Sequence, residues 1–319
     1  MMESKQNRPT LGVSACLLGQ PVRFDGGHKN NRFIADTLAG HIDFEPVCPE
    51  IESGMAVPRP TIQLRQVGDE VRLVEGKQPD HDMTGQMSEY AQARLDSLSH
   101  LDGYIFKKDS PSCGVFRVPV VMNEQGYRNR EGTGLFARAF MDRYPLIPVE
   151  EEGRLNDALL RENFLERVYA YGRWKAIPDA EFNVQGFIEF HSRHKFMLMA
   201  RGSSYYKELG RMVAGVKAVD LAQRREAYIS RFMQVMEMTA HRGRQINVLQ
   251  HIMGYLKELL TREDKQELLA TFEAYRQSEL PLITPITLLR HHLRIHPQPY
   301  ISRQYYLQPC PDKLALRSV

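Results

Sequence analysis

Over the first 150 or so residues, short apolar runs of strand length alternate with stretches whose apolar positions recur at helical spacing. Strands are predicted over 11–16, 44–48, 104–106 and 146–149, and helices from about Asn31 to Gly40, Met83 to Leu98 and Gly134 to Arg143. Thr61–Val67 and Val71–Glu75 alternate in polarity around Gly68-Asp69, a turn pair that suits a hairpin. Alternation of this kind predicts an α/β domain, Rossmann-like, with a mostly parallel sheet and crossover helices.

From Asn156 onward the pattern turns helical. Asn156-Asp157 opens an amphipathic helix to about Trp174, with Leu159, Leu160, Phe164, Leu165 and Val168 on one face. Pro178 breaks the chain there. Further helices are expected over Val184–Ala200, Tyr205–Val216, Leu221–Met238, Ile246–Leu260 and Arg262–Ser278, and Pro281, Pro285 and Pro297 predict an irregular end. The reading is two domains, an α/β domain over 1–175 and an all-α domain over 176–319.

Composition changes this picture little. With 42% hydrophobic and 25% charged residues the chain has the make-up of a globular protein, which excludes a disordered or fibrous class and names no function. Met1 to Thr10 lacks the apolar core of a secretory signal and no apolar stretch reaches membrane-spanning length, so a cytoplasmic protein with no membrane partner is expected. In a reducing compartment the four cysteines suit metal binding or catalysis better than disulfides.

Charge does divide the chain. Residues 1–175 hold 22 Lys and Arg against 25 Asp and Glu, whereas residues 176–319 hold 20 against 14. Between Glu279 and Asp312 there is no carboxylate, and Arg290, His291, His292, Arg294, His296, Tyr300, Arg303, Tyr305 and Tyr306 are interleaved. Basic residues among aromatics suit phosphate contact with base stacking, as in the holding of looped RNA; solvated charges and half-buried tyrosines fit each position singly.

Cys16, Cys48 and Cys113 each follow a strand-like run and precede loop chemistry: Leu11-Gly-Val-Ser-Ala-Cys16, Phe44-Glu-Pro-Val-Cys48-Pro-Glu50 and Gly103-Tyr-Ile-Phe-Lys-Lys-Asp-Ser110-Pro-Ser-Cys113-Gly114. In an open α/β sheet, sites form outside the carboxyl ends of the strands, so parallel strands would bring these thiols together. The gaps of 31 and 64 residues match no local zinc or ferredoxin pattern. Three buried, incidental cysteines remain the alternative on composition. Cys310 has no motif around it and reads as a plain thiol. His191 and His194 share a helix face with Phe187, Phe190 and Leu198, which favours packed histidines or an RNA contact over a metal pair.

Val13-Ser-Ala-Cys16-Leu-Leu-Gly19, Val22-Arg-Phe-Asp-Gly26, Pro46-Val-Cys-Pro-Glu50, Gly54-Met-Ala-Val-Pro-Arg59 and Lys108-Asp-Ser-Pro-Ser-Cys-Gly114 resemble, in this order, the motifs of the thiouracil desulfidase family. The resemblance covers roughly residues 8–160. Phe187-Ile-Glu-Phe-His-Ser-Arg-His-Lys-Phe196 and Tyr205-Tyr-Lys-Glu-Leu-Gly210 are similar to the YbgA-type helical domain, and the pairing resembles fused bacterial desulfidases that act on 4-thiouridine in tRNA. The resemblance implies a [4Fe–4S] cluster on Cys16, Cys48 and Cys113 with one open iron, and hydrolytic, non-redox removal of sulfur. It also implies proton transfer by Glu50 and Ser110, whose bland readings are a solvated carboxylate and a turn hydroxyl. Arg23, Asp25 and Arg59 are candidates for substrate contact; a loop salt bridge explains the first two equally, and support of the cluster loop explains Arg59. Lys107 and Lys108 read as solvated charges. Three functions stand open: a tRNA thiouridine desulfidase, a desulfidase of free thiopyrimidines such as 2-thiouracil, and a non-catalytic iron–sulfur RNA-binding module.

Overall fold

The computed structural model describes residues 8–177, 183–214, 221–314 and 316–317. The predicted break at Pro178 and the predicted helix end at Val216 lie outside them. The chain divides into two compact units, Met1–Asn156 and Asp157–Val319. The helix Ala158–Lys175 packs within the second unit, so the division lies near 156 and not near the expected 175.

The described residues of the first unit form eight strands in two sheets: β1 (Thr10–Ser14), β2 (Asp43–Val47), β3 (Ile62–Val67), β4 (Glu70–Glu75), β5 (Gly103–Phe106), β6 (Val118–Val121), β7 (Arg128–Gly132) and β8 (Val149–Glu151). One sheet runs β2-β1-β5-β8 and every neighbouring pair in it is parallel. Thus the predicted parallel α/β sheet is present, and its carboxyl ends deliver residues 14, 47 and 106 to one edge. Leu11, Val13, Tyr104, Ile105 and Phe106 are fully buried in it. The Tyr104 and Phe106 rings stack at 3.8 Å, and Phe136 and Phe140 meet them edge-on from a helix over Leu135–Arg143. Burying each such ring is worth about 1.5–3 kcal/mol, so this aromatic layer anchors the sheet under the site.

The second sheet, β4-β3-β6-β7, contains the predicted hairpin β3–β4 and a second hairpin, β6–β7, that the sequence reading leaves as loop. Pro119 interrupts the apolar run of β6, and β7 (Arg-Asn-Arg-Glu-Gly) is polar, so neither carries a strand signature. Of the predicted helices, 31–40 is a π-turn over Phe33–Thr37 and a 3₁₀ turn over Leu38–Gly40, and 83–98 narrows to Thr84–Leu95 with a 3₁₀ extension. The last predicted strand slides to Val149–Glu151.

The described residues of the second unit are helical and form no strand. Asp157 caps the first helix by accepting from the amides of Leu159 and Leu160. The predicted helix 184–200 is two, Val184–Arg193 and Lys195–Arg201, parted at His194, whose Nδ1 meets the Phe190 carbonyl at 2.8 Å. Where prolines predict irregular chain, a helix runs over Ile283–Ile295. Pro285 falls in its first turn, where no intrahelical donor is lost.

Candidate active site

Cys16 lies on a 3₁₀ turn, Ala15–Leu18, that continues β1. Cys48 follows β2 as the cap of a short helix, Pro49–Glu52, with Pro49 at its first position; its amide donates to Glu52 Oε1 at 2.7 Å. Cys113 ends a tight turn seven residues beyond β5. In that turn Ser110 Oγ accepts from the amides of Ser112 (3.3 Å) and Cys113 (3.1 Å). Gly114 is required there, because a Cβ would stand 2.9 Å from the Ser110 carbonyl oxygen. Buried Glu151 holds the chain beyond, accepting from the amides of Val115 (2.8 Å) and Phe116 (3.0 Å).

All three thiols line one cavity of about 350 Å³ with Arg23, Phe24, Lys29, Glu50, Arg59, Lys107, Lys108 and Ser110. Parallel strand order therefore does bring the distant cysteines together. Burial pushes the Cys16 thiol up to about 11, with Lys107 pulling the other way and Cys48 adding to the rise. The same desolvation raises Cys48, and raises Cys113 well above its ordinary range, where Glu50 and the other two cysteines add to it. Three thiols that resist ionisation singly are a donor set that needs a cationic partner to become thiolates.

Glu50 is held from two sides. Its Oε1 accepts from Ser112 Oγ at 2.5 Å, and its Oε2 accepts from Arg59, through Nε at 3.2 Å and through Nη2. Ser112 Oγ stands 3.1 Å from Ser110 Oγ, so a hydroxyl chain runs Ser110, Ser112, Glu50. Arg59 also donates to the carbonyls of Val22 (3.0 Å) and Ala56 (3.2 Å), tying the loop after β1 to the loop after Cys48. Its contacts thus hold the two loops together.

The remaining predicted residues divide. Arg23 lines the cavity, 3.6 Å from Asp25. Asp25 itself is turned to its own loop: Oδ1 accepts from the Gly27 amide at 3.0 Å, and that bond, with Arg23, lowers its carboxyl. Lys107 pairs with Glu152, whose other oxygen accepts from the Lys108 amide at 2.7 Å. Lys108 is half exposed beside Asp109. Ser112, fully buried, was not singled out in sequence; once Ser110 is committed to its own turn, the serine two residues on is the one free to reach Glu50. Ser14 carries no sequence signal either; its Oγ accepts from the Lys107 amide at 2.9 Å and so ties the end of β1 to the residue after β5.

Comparison with known proteins finds matches in both units. Residues 11–152 match the model of the 2-thiouracil desulfurase family, and residues 195–311 match that of DUF1722, a protein family of unknown function. The first match lies in the first unit and the second in the second unit. It is 26% identical over 157 residues to the uncharacterized protein YbgA of Escherichia coli (strain K12), covering 49% of this chain and 93% of that one. A solved [4Fe–4S]-dependent thiouracil desulfidase, TudS, shares 29% identity with a TM-score of 0.37, over 47% of this chain and 95% of its own.

Whether the first unit suits a cluster is tested by its own donors. Among the described residues, no three His, Cys, Asp or Glu side chains are gathered as ligands of one metal ion. A [4Fe–4S] cluster gives each thiolate its own iron and so asks for a wider triangle. The cavity offers three soft thiols and no histidine. This donor set fits a cluster with three protein ligands.

In the second unit, His191 is buried with Nδ1 3.0 Å from Tyr228 Oη, and His194 is fully buried among Phe190, Phe232 and Tyr305. Both are packed, hydrogen-bonded residues. Cys310 is buried and unpaired, and burial drives its thiol far up. Of the basic stretch, Tyr306 and His292 are buried, Arg290 forks onto Asp312 at 2.9 Å twice, and Tyr305 lies under the guanidiniums of Arg173 and Arg193. No helix among the described residues is long and apolar enough to cross a membrane.

Proposed function

We propose that the chain is an iron–sulfur-dependent, non-redox desulfidase that converts 4-thiouridine in tRNA to uridine and hydrogen sulfide. The observation that carries it is the convergence of Cys16, Cys48 and Cys113 with the Glu50, Ser112 and Ser110 chain on one cavity. Water supplies the oxygen that replaces sulfur on the ring carbon, and its two protons leave with the sulfur. Cys16, Cys48 and Cys113 would hold the [4Fe–4S] cluster, which when bound supplies a Lewis-acidic iron in soft surroundings suited to a thiocarbonyl sulfur.

The chain's own groups manage the protons. Glu50 takes one from the attacking water. Arg59 fixes the carboxylate and balances its charge, and Ser112 occupies its second oxygen, so the base is oriented before substrate arrives. Ser110 Oγ already accepts two amide hydrogens and keeps its own hydrogen to donate, toward Ser112 or toward the departing sulfur. Arg23, Lys29 and Phe24 line the rim, where cations and a ring suit a nucleotide.

The test is loss of 4-thiouridine from bulk bacterial tRNA, read by nucleoside digestion and mass spectrometry, with anaerobically reconstituted wild type beside Cys48→Ala. Catalytic conversion to uridine by wild type alone is expected. No conversion by wild type shown to contain iron and sulfide would end the tRNA reading. A second reading, desulfidation of free thiopyrimidines such as 2-thiouracil, is favoured by the substrate in the family's name. Salt separates the two: phosphate contacts release counterions, so turnover of tRNA falls steeply with salt, and turnover of a free base does not.

A further inference from the structure

Of the basic, tyrosine-rich stretch, His292 and Tyr306 are buried, whereas Tyr300 stays exposed and meets side chains from three other segments of the helical unit. Lys195 begins the helix Lys195–Arg201; Tyr206 lies on Ser203–Val213, Tyr255 just past Arg242–Gly254, and Tyr300 on Pro299–Ser302. Four separate segments thus place their side chains together. The Lys195 ammonium is 5.6 Å from the Tyr300 ring centre, 5.9 Å from Tyr255 and 6.0 Å from Tyr206. Tyr255 and Tyr300 lie 5.9 Å apart and tilted, and are 42% and 40% exposed.

Scattered exposed tyrosines need no explanation, but three gathered around one lysine form a patch with a chemistry. Among the described residues no carboxylate pairs with Lys195. The rings already hold a cation, so an incoming ammonium group is not the partner they fit. What remains available is the outer face of two tyrosine rings beside a positive charge, on a unit whose residues 176–319 carry 20 basic against 14 acidic side chains. Aromatic faces stack on any base, and a lysine at their edge meets the phosphate between bases.

We propose that Lys195, Tyr206, Tyr255 and Tyr300 form a stacking surface for unpaired bases of an RNA, with Lys195 on the backbone phosphate. This deepens the tRNA reading above and rests on it. Tyr255 and Tyr300 carry the stacking; half-buried Tyr206, face to face with His191 at 5.1 Å, holds the floor of the patch.

The test is fluorescence anisotropy of full-length, cluster-loaded protein with labelled tRNA and with a labelled single-stranded oligoribonucleotide. Tyr255→Ala and Tyr300→Ala should each weaken binding of both by roughly 5- to 150-fold, the Phe variants should stay near wild type, and Lys195→Ala should reduce the salt slope by about 0.7. Turnover of free 2-thiouracil should be unchanged in every variant. If wild type binds tRNA and the Ala variants bind as well as it does, the surface is refuted while the tRNA reading stands. If wild type binds no RNA, the tRNA reading fails and the surface with it. A variant that loses thiouracil turnover, or that shifts the sedimentation of the free protein, would assign the patch to folding or to contact with a second copy, and either result overturns the proposal.

Discussion

Two arginine-clamped carboxylates, one in each unit, look alike in a contact map and differ in what surrounds them. Glu50 meets Arg59 and Ser112; Glu166 meets Arg201 and Arg317, each at 2.7 Å. The Glu50 side chain keeps 17% of its surface and lines a cavity with three thiols, whereas Glu166 keeps 4% and is enclosed by its own cations. Burial works to raise the Glu166 carboxyl, and the two guanidiniums outweigh it and hold the group low. A clamped carboxylate is therefore no mark of a site by itself. Space beside it, shared with groups able to hold a reacting atom, makes the difference.

The largest effect that sharpens this contrast comes from Glu50→Gln. The substitution keeps the shape and removes the base, so turnover of a thiolated substrate should fall by roughly 10²–10⁴. Iron and sulfide content of the reconstituted protein should stay at the wild-type level. Turnover within tenfold of wild type would make Glu50 a holding residue of the same kind as Glu166, and the contrast would collapse.

The sequence carries the Glu50 side of the comparison better than the Glu166 side, for a physical reason. Cys16, Cys48 and Cys113 sit beside strand ends, and parallel pairing of β1 with β2 and β5 necessarily gathers strand ends. Short-range signals of this kind survive in one dimension. Ser112 reaching Glu50 across 62 positions, and Arg317 reaching Glu166 across 151, depend on packing that no local pattern encodes. The hairpin β6–β7 and the helix Ile283–Ile295 escaped for the opposite reason: Pro119 and Pro285 gave local signals that the tertiary setting tolerates. The basic, tyrosine-rich stretch after Glu279 is surface only in part: His291, Arg294, Tyr300 and Arg303 are exposed, while Tyr306 is buried with its hydroxyl on Gln245 at 2.6 Å.

Glu166→Gln should act on stability alone. It leaves Arg201 facing a neutral amide and Arg317 with Glu162 alone, at 3.3 Å, and breaking a buried pair of this kind costs about 3–5 kcal/mol. The chain's one tryptophan, Trp174, lies buried on the helix Ala158–Lys175 of the same unit, so denaturant unfolding followed by its fluorescence reads that unit directly. The midpoint should drop, and turnover of free thiopyrimidine at low denaturant should hold. An unchanged midpoint would mean that Arg201 and Arg317 find other compensation, and the sealed network would lose its structural meaning.

The smallest effect separates the units by pH. Burial lowers His191 to about 4, and the neutral ring shares a hydrogen bond with the Tyr228 hydroxyl at 3.0 Å. In the unfolded chain the same histidine returns to about 6.5. Between these values the unfolded state binds a proton that the folded state refuses, so the stabilisation is complete above about pH 6.5 and is lost as pH falls toward 4, at up to about 1.4 kcal/mol per pH unit. His194, also lowered by burial and by Arg173, adds in the same direction. Unfolding read by Trp174, whose ring stacks on Tyr228, should therefore show acid lability beginning near pH 6.5. His191→Gln keeps an acceptor for Tyr228 but cannot titrate there, so it should remove one proton's share of that slope while lowering stability at neutral pH only modestly. If the slope is the same with and without the substitution, the proton is taken up elsewhere, and the histidine pair is packing without a part in the pH response.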